Sequence, residues 1–204
     1  MLDAVIYSLA GYLSGSLLFS QIAMKLFHSD DVTVNCHDHN PGVYNAFKNG
    51  GMAVGLFTLA GDLLKGFLPV FLYLHNVPFG ARSEGLAFVM AAPVVGTLFP
   101  FWRKFRGGIG ITAAFGALLG CVPNLGPALC LAIPFIIFSC ILVVNPHYYR
   151  TLLSFIVFAC LSALVPMALN LRMGCFLMGL VVIVNLVARK STLAEFSLEP
   201  IWKH

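Results

Sequence analysis

The feature that most constrains this chain is a succession of apolar runs, most of them near the length of a bilayer-crossing helix, separated by short clusters of charge, proline and glycine. Hydrophobic residues make up 59% of the 204 positions and charged residues only 10%, with a mean hydropathy of +0.91. A soluble domain of this size has no interior able to hold that much apolar surface, so the expectation is an all-α polytopic membrane protein. Breaking the sequence at its charge and Pro/Gly clusters gives about seven candidate transmembrane helices. They fall near 2–27, 52–75, 84–102, 109–121, 126–144, 149–169 and 173–188. The fourth is short and is expected to be tilted or packed inside the bundle. The spans fill nearly the whole chain, with no internal repeat, so residues 1–204 read as a single transmembrane domain.

No Lys or Arg precedes the first span, which carries Asp3, unlike the basic start of a cleaved signal peptide; it reads as a retained helix. With seven spans and the N-terminus outside, Lys48, Arg103, Lys104, Arg106, Arg150, Arg189, Lys190 and Lys203 fall on one side, while Arg82 and Arg172 sit in loops on the other. The positive-inside rule then places the C-terminus in the cytoplasm. The net charge of +4 is accounted for by topology and anion binding, and the basic aqueous domain that a nucleic-acid partner requires is missing.

Two aqueous segments carry the chemistry. At 102–110 an apolar span breaks into Arg103, Lys104 and Arg106, followed by Gly107, Gly108 and Gly110. The cations supply positive charge, and the glycines are expected to let backbone N–H groups approach a phosphate at the start of the next helix. Ile109 stands inside that glycine run, where a further cation would serve best. The loop 28–51, predicted to share the cytoplasmic side, is the longest polar segment. Its Asn40-Pro41-Gly42 reads as a turn, and the hydrophobic residues around Asn45 as a short interfacial helix. Its Cys36-His37-Asp38-His39 run reads as polar surface and not as a metal site, because neighbouring side chains diverge in any regular element. The other cysteines, irregularly spaced along the spans, read as small core residues.

Asp62 and Lys65 lie three apart on one face of the second span and are expected to form a structural intramembrane pair. Gly11 and Gly15 make a small-residue step for close helix packing. Serine-hydrolase elbows, zincin motifs and Walker-type loops are missing from the sequence, as are the two matching halves expected of a secondary transporter.

Over almost its full length the chain resembles the bacterial acyl-phosphate:glycerol-3-phosphate acyltransferases, small seven-helix membrane enzymes. Gly15-Ser16-Leu-Leu-Phe19 resembles the family's Gly-Ser-x-Pro-Phe. Asn40-Pro41-Gly42-Val-Tyr-Asn45 resembles the end of its Gly-Ser-Gly-Asn-x-Gly-Ala-Thr-Asn, and Asp62-Leu-Leu-Lys65-Gly66 its Asp-x-x-Lys-Gly. Gly96-Thr-Leu-Phe-Pro100 and Lys104-Phe-Arg-Gly-Gly-Ile-Gly110 resemble Gly-His-x-x-Pro and Lys-Phe-Lys-Gly-Gly-Lys-Gly; Glu199-Pro200 resembles a terminal Glu-Pro. Order and spacing together make the match specific.

The resemblance implies acyl transfer from acyl phosphate to glycerol 3-phosphate, giving lysophosphatidate in the bacterial plasma membrane without metal or coenzyme. It implies Asn40, Gly42, Asn45, Lys48, Lys104, Arg106, Gly107, Gly108 and Gly110 as phosphate and substrate contacts. Several family positions differ. The signature serine corresponds to Asp38, its threonine to Tyr44, an arginine to Lys48, the histidine of Gly-His-x-x-Pro to Thr97, and the glycine-loop lysine to Ile109. The His and Asn of the family's basic motif after the last helix find no match in Val187-Ala-Arg-Lys-Ser-Thr192. No catalytic residue is assigned. The losses all remove cations or donors that steady a phosphate, so two outcomes stand: a diverged acyltransferase, or a non-catalytic paralogue that binds lipid, acyl phosphate or a membrane protein partner.

Overall fold

The computed structural model describes residues 1–29, 31–33 and 40–189, together with the backbone of 197–200. Eight helices follow in order: α1 (Leu2–Gly15), α2 (Phe19–Leu26), α3 (Val43–Asn76), α4 (Leu86–Leu98), α5 (Ile111–Leu119), α6 (Gly126–Ile136), α7 (His147–Leu164) and α8 (Leu169–Ala188). A short strand β1 (Leu142–Asn145) pairs antiparallel with β2 (Ser197–Pro200), Val143 opposite Glu199.

Four helical stretches are long and apolar enough to cross a bilayer: α3, α4 with the 3-10 turn that follows it (Leu86–Arg103), α7 and α8. The pair α1 and α2, bent by 44°, makes a fifth if it forms one span. The candidate runs 109–121 and 126–144 are helical over less than their length. Helix α5 has 9 residues and α6 has 11, against about 20 for a full crossing. The physical reason in α6 is Pro134, which removes a helix hydrogen bond; the chain loosens into a π turn at Ile137–Ile141 and is extended from Leu142.

Each long helix turns one stripe outward and one inward. On α1, Leu2, Val5, Ile6, Leu9 and Leu13 are exposed, and on α8 Met173, Phe176, Leu180, Val184 and Val187, both at helical spacing. Large apolar side chains on an open face are what a hydrocarbon solvent selects. The inward stripes are small: a Cβ on Gly15 would strike Pro93 O of α4, and one on Gly96 would strike Tyr12 O of α1. Gly66 on α3 and Gly116 on α5 make the same reciprocal fit, against Ala113 O and Leu63 O. Gly11, expected in this role, also packs on α4, where a Cβ would lie 3.1 Å from Pro93 Cδ. Val70, Leu86, Val89, Met90, Phe155, Phe158 and Met178 fill the space between. Cys121, Cys130 and Cys175 are buried, whereas Cys140 and Cys160 turn outward, so only the first three act as core.

The bend between α1 and α2 exposes carbonyls that side chains from other elements satisfy. Thr97 Oγ1 donates to Gly15 O at 3.1 Å, Trp102 Nε1 to Ser16 O at 2.7 Å, and Lys65 Nζ to Leu17 O at 2.9 Å. A broken helix in an apolar medium requires such partners.

Candidate functional site: a cavity at the start of α5

After α4 the chain turns at Phe101–Arg103, then passes through Lys104 (φ 51°) and Phe105 (φ 58°) in the left-handed region. This reversal lays the glycine run against the last turn of α4, where Gly107 N donates to Leu98 O at 3.0 Å and Gly108 N to Thr97 O at 2.9 Å. A Cβ on Gly107 would strike Thr97 O, which is the physical reason for glycine there. Two of the three amides expected to face a phosphate are therefore occupied in closing α4. Gly110, at φ 84°, turns the chain into α5, whose first residue is Ile111 and not Ile109. No side chain caps α5, so the N–H groups of its first turn are left to other partners.

Those residues, Ile111, Thr112 and Ala113, line a cavity of about 190 Å³. Asn40, Gly42 and Tyr44 form one wall, Gly108 to Gly110 another, and Asp62, Thr97 and His147 complete it. The two polar segments meet directly: a Cβ on Gly108 would lie 3.3 Å from Asn40 Oδ1. Buried Asn45 stays out of the lining and shapes the loop, donating from Nδ2 to Asn40 O at 2.8 Å, while Ser20 Oγ donates to Pro41 O at 2.8 Å.

The sequence-derived set thus divides. Asn40, Gly42, Gly108 and Gly110 line the cavity; Asn45 supports it; Gly107 closes α4. Among the described residues no Lys or Arg lines it. Lys48 Nζ lies 6.0 Å from the centre of the Tyr44 ring, on the cavity's margin. Lys104 is exposed, and Arg106 lines a second cavity beside α8. Arg103 meets the amide oxygen of Gln21 at 3.1–3.2 Å when that amide is turned toward it. Asp31, its pKa lowered by the Thr33 N–H and hydroxyl and by Arg103, marks the approach of the polar loop to the basic turn. Asp38 and the Cys36–His39 run lie outside the described residues.

Asp62 and Lys65 form the expected pair, Nζ to Oδ1 2.6 Å, both buried. Lys65 has a second role that spacing did not reveal, closing the α1–α2 break at Leu17 O. Thr97 is buried and donates to Gly15 O and Pro93 O, so its hydroxyl is engaged in packing. His147 was missed by the sequence reading. Its ring stacks with Tyr44 at 6.3 Å, and Arg150 NH2 lies 2.8 Å from Nδ1. A guanidinium only donates, so Nδ1 accepts and the ring proton is on Nε2.

Fold and site define a helical integral membrane protein whose polar loops enclose an anion-sized cavity at a helix N-terminus. The profile of the glycerol-3-phosphate acyltransferase family matches residues 5–195, and the chain belongs to that family. A glycerol-3-phosphate acyltransferase of Cupriavidus necator is 38% identical over 126 residues, 60% of this chain and 60% of the relative. One of Janthinobacterium sp. is 36% identical over 119 residues, 58% of this chain and 59% of the relative. The chain thus aligns with about three fifths of the length of the curated relatives it matches. The fold is similar to crystal structures of PlsY (YgiH), an integral membrane glycerol 3-phosphate acyltransferase, in glycerol 3-phosphate and lysophosphatidic acid forms. Their TM-scores are 0.73 and 0.72 at 24% identity, covering 91% of this chain and 87% of those.

Proposed function

We propose that this protein transfers an acyl group from acyl phosphate to glycerol 3-phosphate, giving lysophosphatidate, in the plasma membrane of a bacterium. The observation that carries the reading is the convergence of Asn40, Gly42 and the uncapped first turn of α5 on one cavity. Amides at a helix N-terminus suit a phosphate oxygen without any side-chain cation. In the reaction the acceptor hydroxyl oxygen bonds to the acyl carbon, the carbon–oxygen bond to phosphate breaks, and phosphate departs with the electron pair. The hydroxyl proton passes to that phosphate, so the chain need supply no general base. Asn40, Gly42, Gly108 and Gly110 contact the phosphate end, Asn45 holds the loop, and Lys48 attracts the ligand from the margin. Both polar loops face the cytoplasm in this reading, with the C-terminus, and the N-terminus is outside.

A second reading is favoured by one observation: two glycine amides are occupied, and no described Lys or Arg lines the cavity. Here the protein is a diverged, non-catalytic paralogue holding a lipid, an acyl phosphate or a membrane protein partner. The test uses the full chain in nanodiscs with acyl phosphate and radiolabelled glycerol 3-phosphate, beside Gly108→Val, which drives a side chain toward Asn40. Lysophosphatidate formed by the native chain and lost in the variant supports the enzyme. No product, with an authentic enzyme active in parallel, supports the binding subunit.

A further inference from the structure

Next to α8 lies a second cavity, of about 590 Å³ against about 190 Å³ for the first. Its polar lining is Arg103, Arg106, Arg189 and Asn185; its apolar lining is Phe99, Phe105, Val184 and Ala188. Neither Arg106 nor Arg189 has a carboxylate partner among the described residues. Arg189 donates to Gly107 O at 2.9 Å and Leu98 O at 3.1 Å, two contacts that anchor the guanidinium and leave further N–H groups for a ligand. Asn185 is only 3% exposed, and its Nδ2 has no hydrogen-bond partner. A buried amide without a partner is costly, and here it lines a cavity whose other polar groups are cationic.

We infer that this cavity binds the phosphate headgroup of an anionic phospholipid from the surrounding leaflet, held by Arg106, Arg189 and the Asn185 amide. An anion answers all three donors at once. The lipid identity of its source rests on the walls: Val184 is 57% exposed on the outward apolar stripe of α8, and Phe105, in the turn after α4, is 59% exposed. A free phosphate would leave those walls wet, whereas a glycerophospholipid lays its acyl chains along them. Basic pockets at helix ends next to the bilayer surface are suited to such headgroups. The site is separate from the α5 cavity, and Gly107, whose backbone closes α4, forms part of its wall.

The test is native mass spectrometry of the full chain in detergent, titrated with phosphatidate, phosphatidylcholine or inorganic phosphate. One retained phosphatidate is expected. Its affinity should fall roughly fivefold on Arg106→Gln, the loss of one arginine near the surface. Val184→Trp, which fills the cavity without touching a charge, should also displace it, and serves if the arginine variant fails to fold. Unchanged affinity in both Arg106→Gln and Val184→Trp overturns the site. Equally tight phosphatidylcholine overturns the role of charge, and inorganic phosphate competing at equal concentration overturns the lipid source.

Discussion

Replacing Lys65 with Met removes one ammonium and leaves both of its buried partners without it. In the native chain that ammonium lies 2.6 Å from Asp62 Oδ1 and 2.9 Å from Leu17 O, with the Lys65 side chain 1% exposed and that of Asp62 10%. Breaking a buried pair by removing one member costs about 3–5 kcal/mol, because the surviving charge stays desolvated. A buried carbonyl left without a donor adds about 1–3 kcal/mol. These costs share one side chain and do not add fully. Asp62 also touches the α5 cavity, where water can reach it. The lower part of the range therefore applies, about 3–4 kcal/mol, a fall in melting temperature of roughly 6–16 °C for a chain of this size. The double variant Asp62→Asn with Lys65→Met removes the orphaned charge and should recover most of the loss, leaving the Leu17 carbonyl as the residue. Thermal unfolding in one detergent, followed by tryptophan fluorescence with size-exclusion profiles, measures both. A Lys65→Met protein within 1 °C of native, or a double variant no more stable than the single, would refute the pairing argument.

Gly15→Ala should destabilise by about 1–3 kcal/mol, the usual cost of overpacking, because its methyl meets the Pro93 carbonyl; the same melting assay reads it. Ile109→Lys extends a cation from a half-buried wall of the cavity and should raise kcat/KM for acyl transfer, about tenfold if the gain is about 1.4 kcal/mol; an unchanged value would remove Ile109 from the phosphate's reach. Thr97→His, by contrast, should not restore a family-like site, since it removes the donor to Gly15 O and Pro93 O and overfills a buried position; loss of folded protein is expected on gel filtration. Asp31 has a lowered pKa, so its small stabilising effect is present above the ordinary carboxylate value of 3.8 and lost as pH falls through its lower folded value. The melting difference between native chain and Asp31→Asn should therefore shrink as pH falls below 3.8.

The long apolar spans, the Gly11–Gly15 packing step and the Asp62–Lys65 pair were legible because each follows from local spacing: apolar length, glycine at helical intervals, opposite charges three apart; the runs 109–121 and 126–144 were read as spans and form only short helices. The meeting of Asn40 with the glycine run was legible from the resemblance and from the shortness of the other loops. What spacing could not carry was the use made of backbone groups. Lys104 and Phe105 adopt positive φ, which neither residue type signals, and that reversal decides that Gly107 and Gly108 bond to α4 instead of facing the cavity. His147 arrives from an element more than a hundred positions after Asn40, through a chain loosened at Pro134, and no motif marks it. Lys104 and Arg106 were grouped as phosphate contacts and Arg189 was placed only on the same side of the membrane, yet Arg106 and Arg189 open together on the α8 side of the loop.

On the proposed reading, that division changes how the first cavity would hold an anion. With no described Lys or Arg in its lining, positive potential there rests on helix N-termini, that of α5 and those of α3 and α7, whose first residues Val43 and His147 also line it, each worth about half an elementary charge and effective within the first turn. Asp62 lines the same space, and an unpaired carboxylate there would cancel that potential and repel phosphate. Lys65, though absent from the lining, therefore conditions the site by neutralising Asp62 from behind. Asp62→Asn should keep or strengthen phosphate binding even as it loosens the bundle, while Lys65→Met should weaken binding beyond what its lost stability explains. The two effects separate if glycerol 3-phosphate affinity is measured at a temperature where native and variant chains are all fully folded. Equal affinity in native, Asp62→Asn and Lys65→Met proteins would show that the pair acts on the fold alone.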